Sequence, residues 1–247
     1  MPVDQSEAIV LRSFNLGDQD KIIVLFSREK GLVKGVAKGA RKFGNRFGSS
    51  LEPMSLVRVF YYEKERRDLF TISNCDLVES FFEIQKDFRT ACTFSYFSEI
   101  IEEFFPLRAS EDVLFRLILS TLQALRDGGD LDLLTRYFEA WFLQINGLLP
   151  EFGKCRKCGK KTEAGAWLTP KMDGVVCSAC ALQKKDPAGA EVAAFLRWAR
   201  KSPPPKNAEP LFQAATLAGV GRVLQTIIVF HLEREPKSLR LLNLHDS

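Results

Sequence analysis

Six cysteines occur in the chain, and four of them are clustered: Cys155-x2-Cys158, eighteen residues, then Cys177-x2-Cys180. Two CxxC pairs at this spacing offer four thiolates from two tight turns, the donor set of a tetrahedral zinc ion. Gly159 follows the first pair, where a left-handed turn residue is useful. Lys154, Arg156, Lys157, Lys160 and Lys161 would offset the negative charge of four thiolates. The intervening WLTPKMDGVV suits a short hairpin with Asp173-Gly174 as its turn. Reduced thiols, a redox pair and an iron–sulfur cluster are the other readings, although a thioredoxin-like pair needs a βαβ setting that is lacking here. Four cysteines close the coordination shell, whereas a catalytic zinc keeps a position for water. A deaminase would need His-x-Glu ahead of its cysteine pair, and His231-Leu232-Glu233 comes after both pairs. The expectation is a structural zinc and no catalysis.

A second constellation lies in GARKFGNRFGSSLEP, residues 39–53. Lys38, Arg41, Lys42 and Arg46 are interleaved with Phe43 and Phe47 in a glycine-rich stretch. Cations neutralise phosphates, and aromatic rings offer stacking faces to unpaired bases. The competing reading is a solvated loop with Phe47 tucked into the core. No G-x-x-x-x-G-K-[ST] occurs, so these glycines do not form a P-loop. Gly219-Val220-Gly221 is a lone GxG that reads as a close-packing spot on a helix.

The 247 residues carry a net charge of only +4, but the charge is patterned. Residues 28–46 hold Arg28, Lys30, Lys34, Lys38, Arg41, Lys42 and Arg46 against one acid, Glu29. Residues 83–139 lean acidic, and residues 154–185 are basic again. The chain has 46% hydrophobic residues, as globular proteins do, and no uninterrupted apolar run long enough to span a bilayer. The opening MPVDQSEAIVLRS lacks the pattern of a signal peptide. A reducing cytoplasmic setting is expected, with Cys75 and Cys92 as inert core thiols.

Elements that could position these groups follow from periodicity. Residues 7–14, 21–27, 31–38, 55–63 and 69–78 read as five short strands, the last two flanking a charged turn KERRD. With one long loop, they suit a small OB-type barrel. After residue 80 the period becomes helical. Phe94, Phe97, Ile101 and Phe104 form one stripe, ended by Pro106. Ser110 is placed to cap a second helix bearing Leu114, Ile118, Leu122 and Leu125. Leu134, Phe138, Trp141, Ile145 and Leu148 line a third. Helices resume after the cysteine region with VAAFLRWARK, break at Pro203–Pro205, and end with a stripe of Leu217, Val220, Leu224, Ile228 and Leu232. The expected fold is α+β: an OB-fold barrel over 1–80, then an α-helical bundle domain over 81–247 with a zinc module inserted at about 150–185.

Taken together, several stretches resemble the RecO family of bacterial recombination mediators. EAIVLRSFNLGDQDKIIVLFSREKGLVKGVAKGARK is similar to its amino-terminal OB domain, RFGSSLEP to the stretch after the basic loop, GLLPEFGKCRKCG to the entry of its zinc module, and HLEREPKSLRLL to its carboxy-terminal helix and tail. The resemblance covers the whole chain in order. It implies binding of single- and double-stranded DNA and annealing of complementary strands. The implied partners are RecR, single-strand-binding protein and, through them, RecA loaded in RecF-pathway repair, with nucleoid association and no membrane. The family's DNA-contacting groove corresponds to Lys34, Lys38, Arg41, Lys42 and Arg46, with Arg12 and Lys21 beside them. Leu239 stands in KSLR where relatives often carry a further basic residue. A zinc-ribbon RNA-binding or transcription-associated factor is the alternative.

Overall fold

The computed structural model describes residues 3–63, 69–162, 165–182, 184–207 and 211–245; the KERRD turn at 64–68 lies outside them. They form two compact units, one drawn from residues 1–122 and 236–247, the other from 123–235.

In the first unit, β1 (Asp4–Leu16), β2 (Asp20–Ser27), β3 (Gly31–Ala37), β4 (Leu56–Tyr62) and β5 (Leu69–Glu79) close into a barrel in the order β1-β2-β3-β5-β4. The β3–β5 pairing is parallel and the other four are antiparallel, as in an OB-type barrel. Closure needs β1 to serve two neighbours. Its Asp4–Ile9 part pairs with β4, its Ala8–Leu16 part pairs with β2, and a bulge between Val10 and Arg12 bends it from one to the other. Val10, Ile23, Leu25, Val33, Val57 and Val59 fill the interior. Residues of the long β3–β4 loop join them: Ala40, Phe47 and Leu51 all belong to this core.

Helix α1 (Phe88–Phe104) begins at Asp87, whose carboxylate accepts from Thr90 N–H at 2.8 Å. It buries Phe94, Tyr96, Phe97, Ile100 and Ile101, and Phe105 leaves it in extended conformation before Pro106. The segment after it runs past Gly31, and Arg108 N–H donates to the Leu32 carbonyl at 2.8 Å. Gly31 has φ 64°, and a side chain there would strike the Ala109 carbonyl, so only glycine fits. Helix α2 is Asp112–Arg126. It starts one residue later than a Ser110 cap requires: the Glu111 carboxylate accepts from Val113 N–H at 3.2 Å. Helix α6 (Lys237–His245) belongs to this unit too. Buried Glu99 on α1 accepts from Lys237 N–H and Ser238 N–H, both at 3.0 Å, and from the Ser238 hydroxyl at 2.6 Å. A carboxylate distant in sequence thus caps α6.

The second unit holds α3 (Leu131–Ile145), a two-stranded hairpin of β6 (Ala166–Leu168) and β7 (Val175–Cys177), α4 (Ala190–Ala199) and α5 (Ala214–Leu232). The buried face of α3 centres on Leu134, Phe138 and Phe142. Trp141 is only half-buried, because its indole N–H must reach the Ala199 carbonyl, at 3.0 Å. Gly221 on α5 leaves room for the Arg136 side chain, which pairs with fully buried Glu139 at 3.0 Å. The GxG is thus a packing device. By length and composition α5, with mean hydropathy 1.4, could cross a membrane. Its Leu217, Val220, Leu224, Ile227 and Ile228 are instead buried within the unit. Glu233 has φ 55° and ends α5 in left-handed conformation, so His231-Leu232-Glu233 is a helix terminus.

Phe47 is 3% exposed and Phe43 is fully exposed. Phe47→Ala should destabilise the barrel by about 3–5 kcal/mol in urea unfolding, whereas Phe43→Ala should stay within about 0.5 kcal/mol. Equal effects would mean that the loop is not anchored by Phe47.

Candidate nucleic-acid interface and metal centre

The β3–β4 loop is a succession of tight turns. Lys42 N–H donates to Gly39, Asn45 N–H to Lys42 and Ser50 N–H to Phe47 carbonyls, at 3.0, 3.2 and 3.0 Å. Phe47 N–H also donates to the Asn45 side chain at 3.0 Å. Several contacts fasten the loop to the β1–β2 hairpin, among them Arg41 N–H donating to the Gln19 carbonyl at 3.0 Å. Asp20 accepts from Gly39 N–H at 2.8 Å, and the Arg41 guanidinium donates to the Gly17 carbonyl at 2.6 Å. A cleft of about 500 Å³ opens here, lined by Asp20, Lys38, Lys42, Phe43, Asn45 and Arg46 among others.

Lys38, Arg41, Lys42 and Arg46 are exposed, and none forms an ion pair among the described residues. Arg46 lies over the Phe47 ring at 4.7 Å and donates to the Ser73 carbonyl at 2.7 Å, so its charge is held in place without being neutralised. The cleft therefore gathers Lys38, Lys42 and Arg46, with Arg41 on its hairpin side.

The other basic candidates are placed differently. Arg12 pairs with Glu102 at 3.0 Å, and Lys34 also faces that carboxylate electrostatically. Burial pushes the Glu102 carboxyl above its usual range, against the pull of Arg12 and Lys34. Lys21 is half-exposed on β2 and pairs in register with Ala37. The remainder of the basic run is consumed by acids. Arg28 meets Asp112 at 2.9 Å and Glu7 at 3.4 Å. Lys30 and Arg108 both donate to Glu63, at 2.8 and 2.5 Å, and lie over Phe70 at 5.5 and 5.2 Å. The bond from Lys30 holds the Glu63 carboxyl below its usual range and raises the Lys30 ammonium. Composition could not separate Lys30 from Lys38, because the neutralising Glu63 is remote in sequence.

In the second unit, the sulfurs of Cys155, Cys158, Cys177 and Cys180 all lie within 4.8 Å of one another. Thiolates about 2.3 Å from a tetrahedral ion sit about 3.8 Å apart, and the Cys158–Cys177 pair is at 3.8 Å. The donor set can therefore hold a metal ion. Gly159, at φ 72°, closes the first knuckle by donating its N–H to the Cys155 carbonyl at 2.8 Å. Cys180 N–H and Ala181 N–H close the second by donating to the Cys177 carbonyl, at 2.9 and 3.0 Å. The backbone N–H of Cys177, with those of Cys158 and Lys157, draws the Cys155 thiol down to about 6. The hairpin is real, but its turn is not Asp173-Gly174 alone. Residues 169–174 connect the strands, Met172 takes the left-handed position at φ 54°, and the Thr169 hydroxyl donates to the Asp173 carboxylate at 2.7 Å. Gly174 lies against the Arg156 side chain, which pairs with Asp173 at 3.1 Å. Lys154, Lys157 and Lys160 are exposed around the knuckle.

Cys75 and Cys92 take no part in this centre. Both are buried, and burial raises their thiols, that of Cys75 to about 11.

Comparison with known proteins agrees with this architecture. The family model for the N-terminal part of recombination protein O matches residues 1–81, and that for its C-terminal part matches residues 85–240. The chain is 33% identical to the DNA repair protein RecO of Koribacter versatilis over 174 residues, 70% of this chain and 71% of that one. It is 30% identical to the DNA repair protein RecO of Desulforudis audaxviator over 242 residues, 96% of this chain and 95% of that one. It is 28% identical to the namesake from Pelotomaculum thermopropionicum, over 98% of this chain and 94% of that one. With both halves of the family matched in order on a closed OB-like barrel and a helical, four-cysteine part, the chain belongs to the RecO family of DNA repair and recombination proteins.

Proposed function

We propose that the chain is a non-catalytic mediator of RecF-pathway repair. It binds single- and double-stranded DNA, anneals complementary strands and, with RecR, helps to load RecA on DNA coated by single-strand-binding protein. It works in the cytoplasm, with no membrane partner. Residues 1–80 act as the DNA-binding OB domain and residues 81–247 as the helical domain that carries the metal module.

The observation that carries this reading is the group of Lys38, Arg41, Lys42 and Arg46, exposed and without ion pairs among the described residues, on a loop fastened to the barrel. Annealing brings two polyanions together. Fixed cations lower that repulsion by displacing condensed counterions, and no bond in the DNA need break. Lys34 and Lys21 add charge on the neighbouring strands. Arg12 adds less, because Glu102 neutralises it. The exposed lysines around the first cysteine knuckle offer a further cationic surface on the second unit.

The ion held by Cys155, Cys158, Cys177 and Cys180 is zinc, one per chain, and its role is structural. Four thiolates and paired knuckles favour this ion, and a closed shell supplies no water for catalysis. Zinc bound there ties two knuckles together across a small apolar core of Phe152, Ala166, Leu168, Met172 and Val175, so part of the module's folding free energy is metal-linked.

Three outcomes are expected. Replacing Lys38, Arg41, Lys42 and Arg46 together by Ala should weaken binding to single strands and duplex alike. It should also reduce the slope of log K against log salt by about 3 to 4 for duplex; unchanged affinity at moderate salt would reject these residues as the contact. Metal analysis of freshly reduced protein should find about one zinc per chain, and Cys155→Ser should lower that content; substoichiometric zinc in the wild type would count against the assignment. Finally, complementary strands coated with single-strand-binding protein should anneal faster with this chain than without it. No acceleration would remove the annealing activity.

A further inference from the structure

The loop cations account for affinity to any polyanion, paired or unpaired. They do not distinguish a single strand from a duplex. Beside them stands a feature of different chemistry.

The β1–β2 hairpin pairs Ser13 with Ile23 and Phe14 with Ile22, and Ile22 pairs onward with Val36. Ile23 is in the barrel core, so the alternation of β-strands turns Phe14, Ile22 and Val36 to the outer face. They form one row across three strands. The preceding outer row, Arg12, Val24 and Lys34, is occupied: Val24 is buried, and Glu102 of α1 meets Arg12 and faces Lys34. In the Phe14 row Ile22 and Val36 are half-buried, and the ring at its edge is open. Phe14 is 45% exposed, and Leu16, two positions along the same face, is 40% exposed. Leu16 directly precedes Gly17, the residue whose carbonyl receives the Arg41 guanidinium, and it pairs in register with Asp20 of the cleft lining. Phe43 itself lines the cation-bearing cleft, and its ring is fully exposed.

An apolar surface of this kind needs an occupant. The surrounding charge selects a polyanion. Lys38, Arg41, Lys42 and Arg46 carry no carboxylate partner among the described residues, and of the hairpin acids Asp20 is engaged by Gly39 N–H, leaving Asp18. A polyanion with flat apolar faces is a nucleic-acid strand with unpaired bases. A duplex has the same phosphates, but its base faces are stacked on each other and unavailable.

We infer that Phe43 in the cation-lined cleft and Phe14 on the hairpin to which the loop is fastened stack unpaired bases and so favour single strands over duplex, while the cations supply affinity common to all DNA. This inference rests on the DNA-binding reading above and adds the division of labour. Bases need not be read by hydrogen bonds, so no sequence preference follows. In annealing, the rings would hold a strand with its bases unpaired until a complement displaces them.

The test measures fluorescence anisotropy of three labelled probes of equal length: oligothymidylate, a duplex and a strand of abasic sugar-phosphate. Phe14→Ala and Phe43→Ala should each weaken oligothymidylate binding by about tenfold, and the losses should be confined to that probe. Lys38→Ala with Lys42→Ala should weaken all three together. Phe43→Trp keeps a ring. It should retain affinity, and the emission of the added indole should be quenched by oligothymidylate and not by the abasic strand. Equal losses of the Phe→Ala variants on all three probes, or no loss on any, would overturn the stacking role. So would emission of the Phe43→Trp variant that stays unquenched in a saturated oligothymidylate complex. A wild-type chain that binds none of the probes would reject the DNA-binding reading itself, a result distinct from either.

Discussion

Phe47 sits inside the barrel, and much of the proposed interface depends on that one burial. The β3–β4 connection is long, rich in glycine and strongly basic, a composition that by itself describes a mobile loop. Together with Ala40 and Leu51, Phe47 gives this connection a share in the barrel core. The turns between these anchors are then short enough to close on their own hydrogen bonds. The cations between the anchors face outward because nothing in an apolar interior could accept them. A loop ordered before binding loses little conformational entropy when it meets DNA.

Charge was sorted by the fold in a way that net charge hides. Seven basic residues fall between positions 28 and 46, and apart from Lys34, which faces Glu102, they serve two purposes. Arg28 and Lys30 are held by Asp112, Glu7 and Glu63. Lys38, Arg41, Lys42 and Arg46 keep their charge for a partner. The depressed carboxyl of Glu63 is the mark of the first group: its charge is stabilised by two cations and is structural.

The metal module follows a different logic. Its strands have three residues each, and they support only a small core of their own. Four sulfurs within reach of a single ion supplement it. At the knuckles themselves the backbone N–H groups of Gly159, Cys180 and Ala181 close turns on cysteine carbonyls. Exposed lysines around the centre would offset the negative charge of thiolates gathered on an ion.

How much was legible follows from the range of each signal. The five strands, the helices up to Leu232 and the cysteine cluster were written in local periodicity and spacing, since alternation, 3.6-residue stripes and CxxC pairs act within a few residues; the short α6 carried no such stripe. The Gly159 turn was legible for the same reason. The turn at 169–174 was not, because Met172 adopts a left-handed conformation that its residue type does not announce. The Glu99 cap of α6 was also invisible, as its donors Lys237 and Ser238 are far along the chain. Trp141 left its expected stripe for a carbonyl on α4. The sequence by itself determined the barrel, the helices up to Leu232, the thiolate donor set and a supply of basic residues in the loop. Only the tertiary structure decided that Phe47 is buried while Phe43 is exposed, that Arg12 is committed to Glu102, and that Phe14 stands exposed on the hairpin to which the basic loop is fastened. The reason is physical: whether a ring is buried or a charge is neutralised depends on which distant groups the closed barrel brings within a few ångströms.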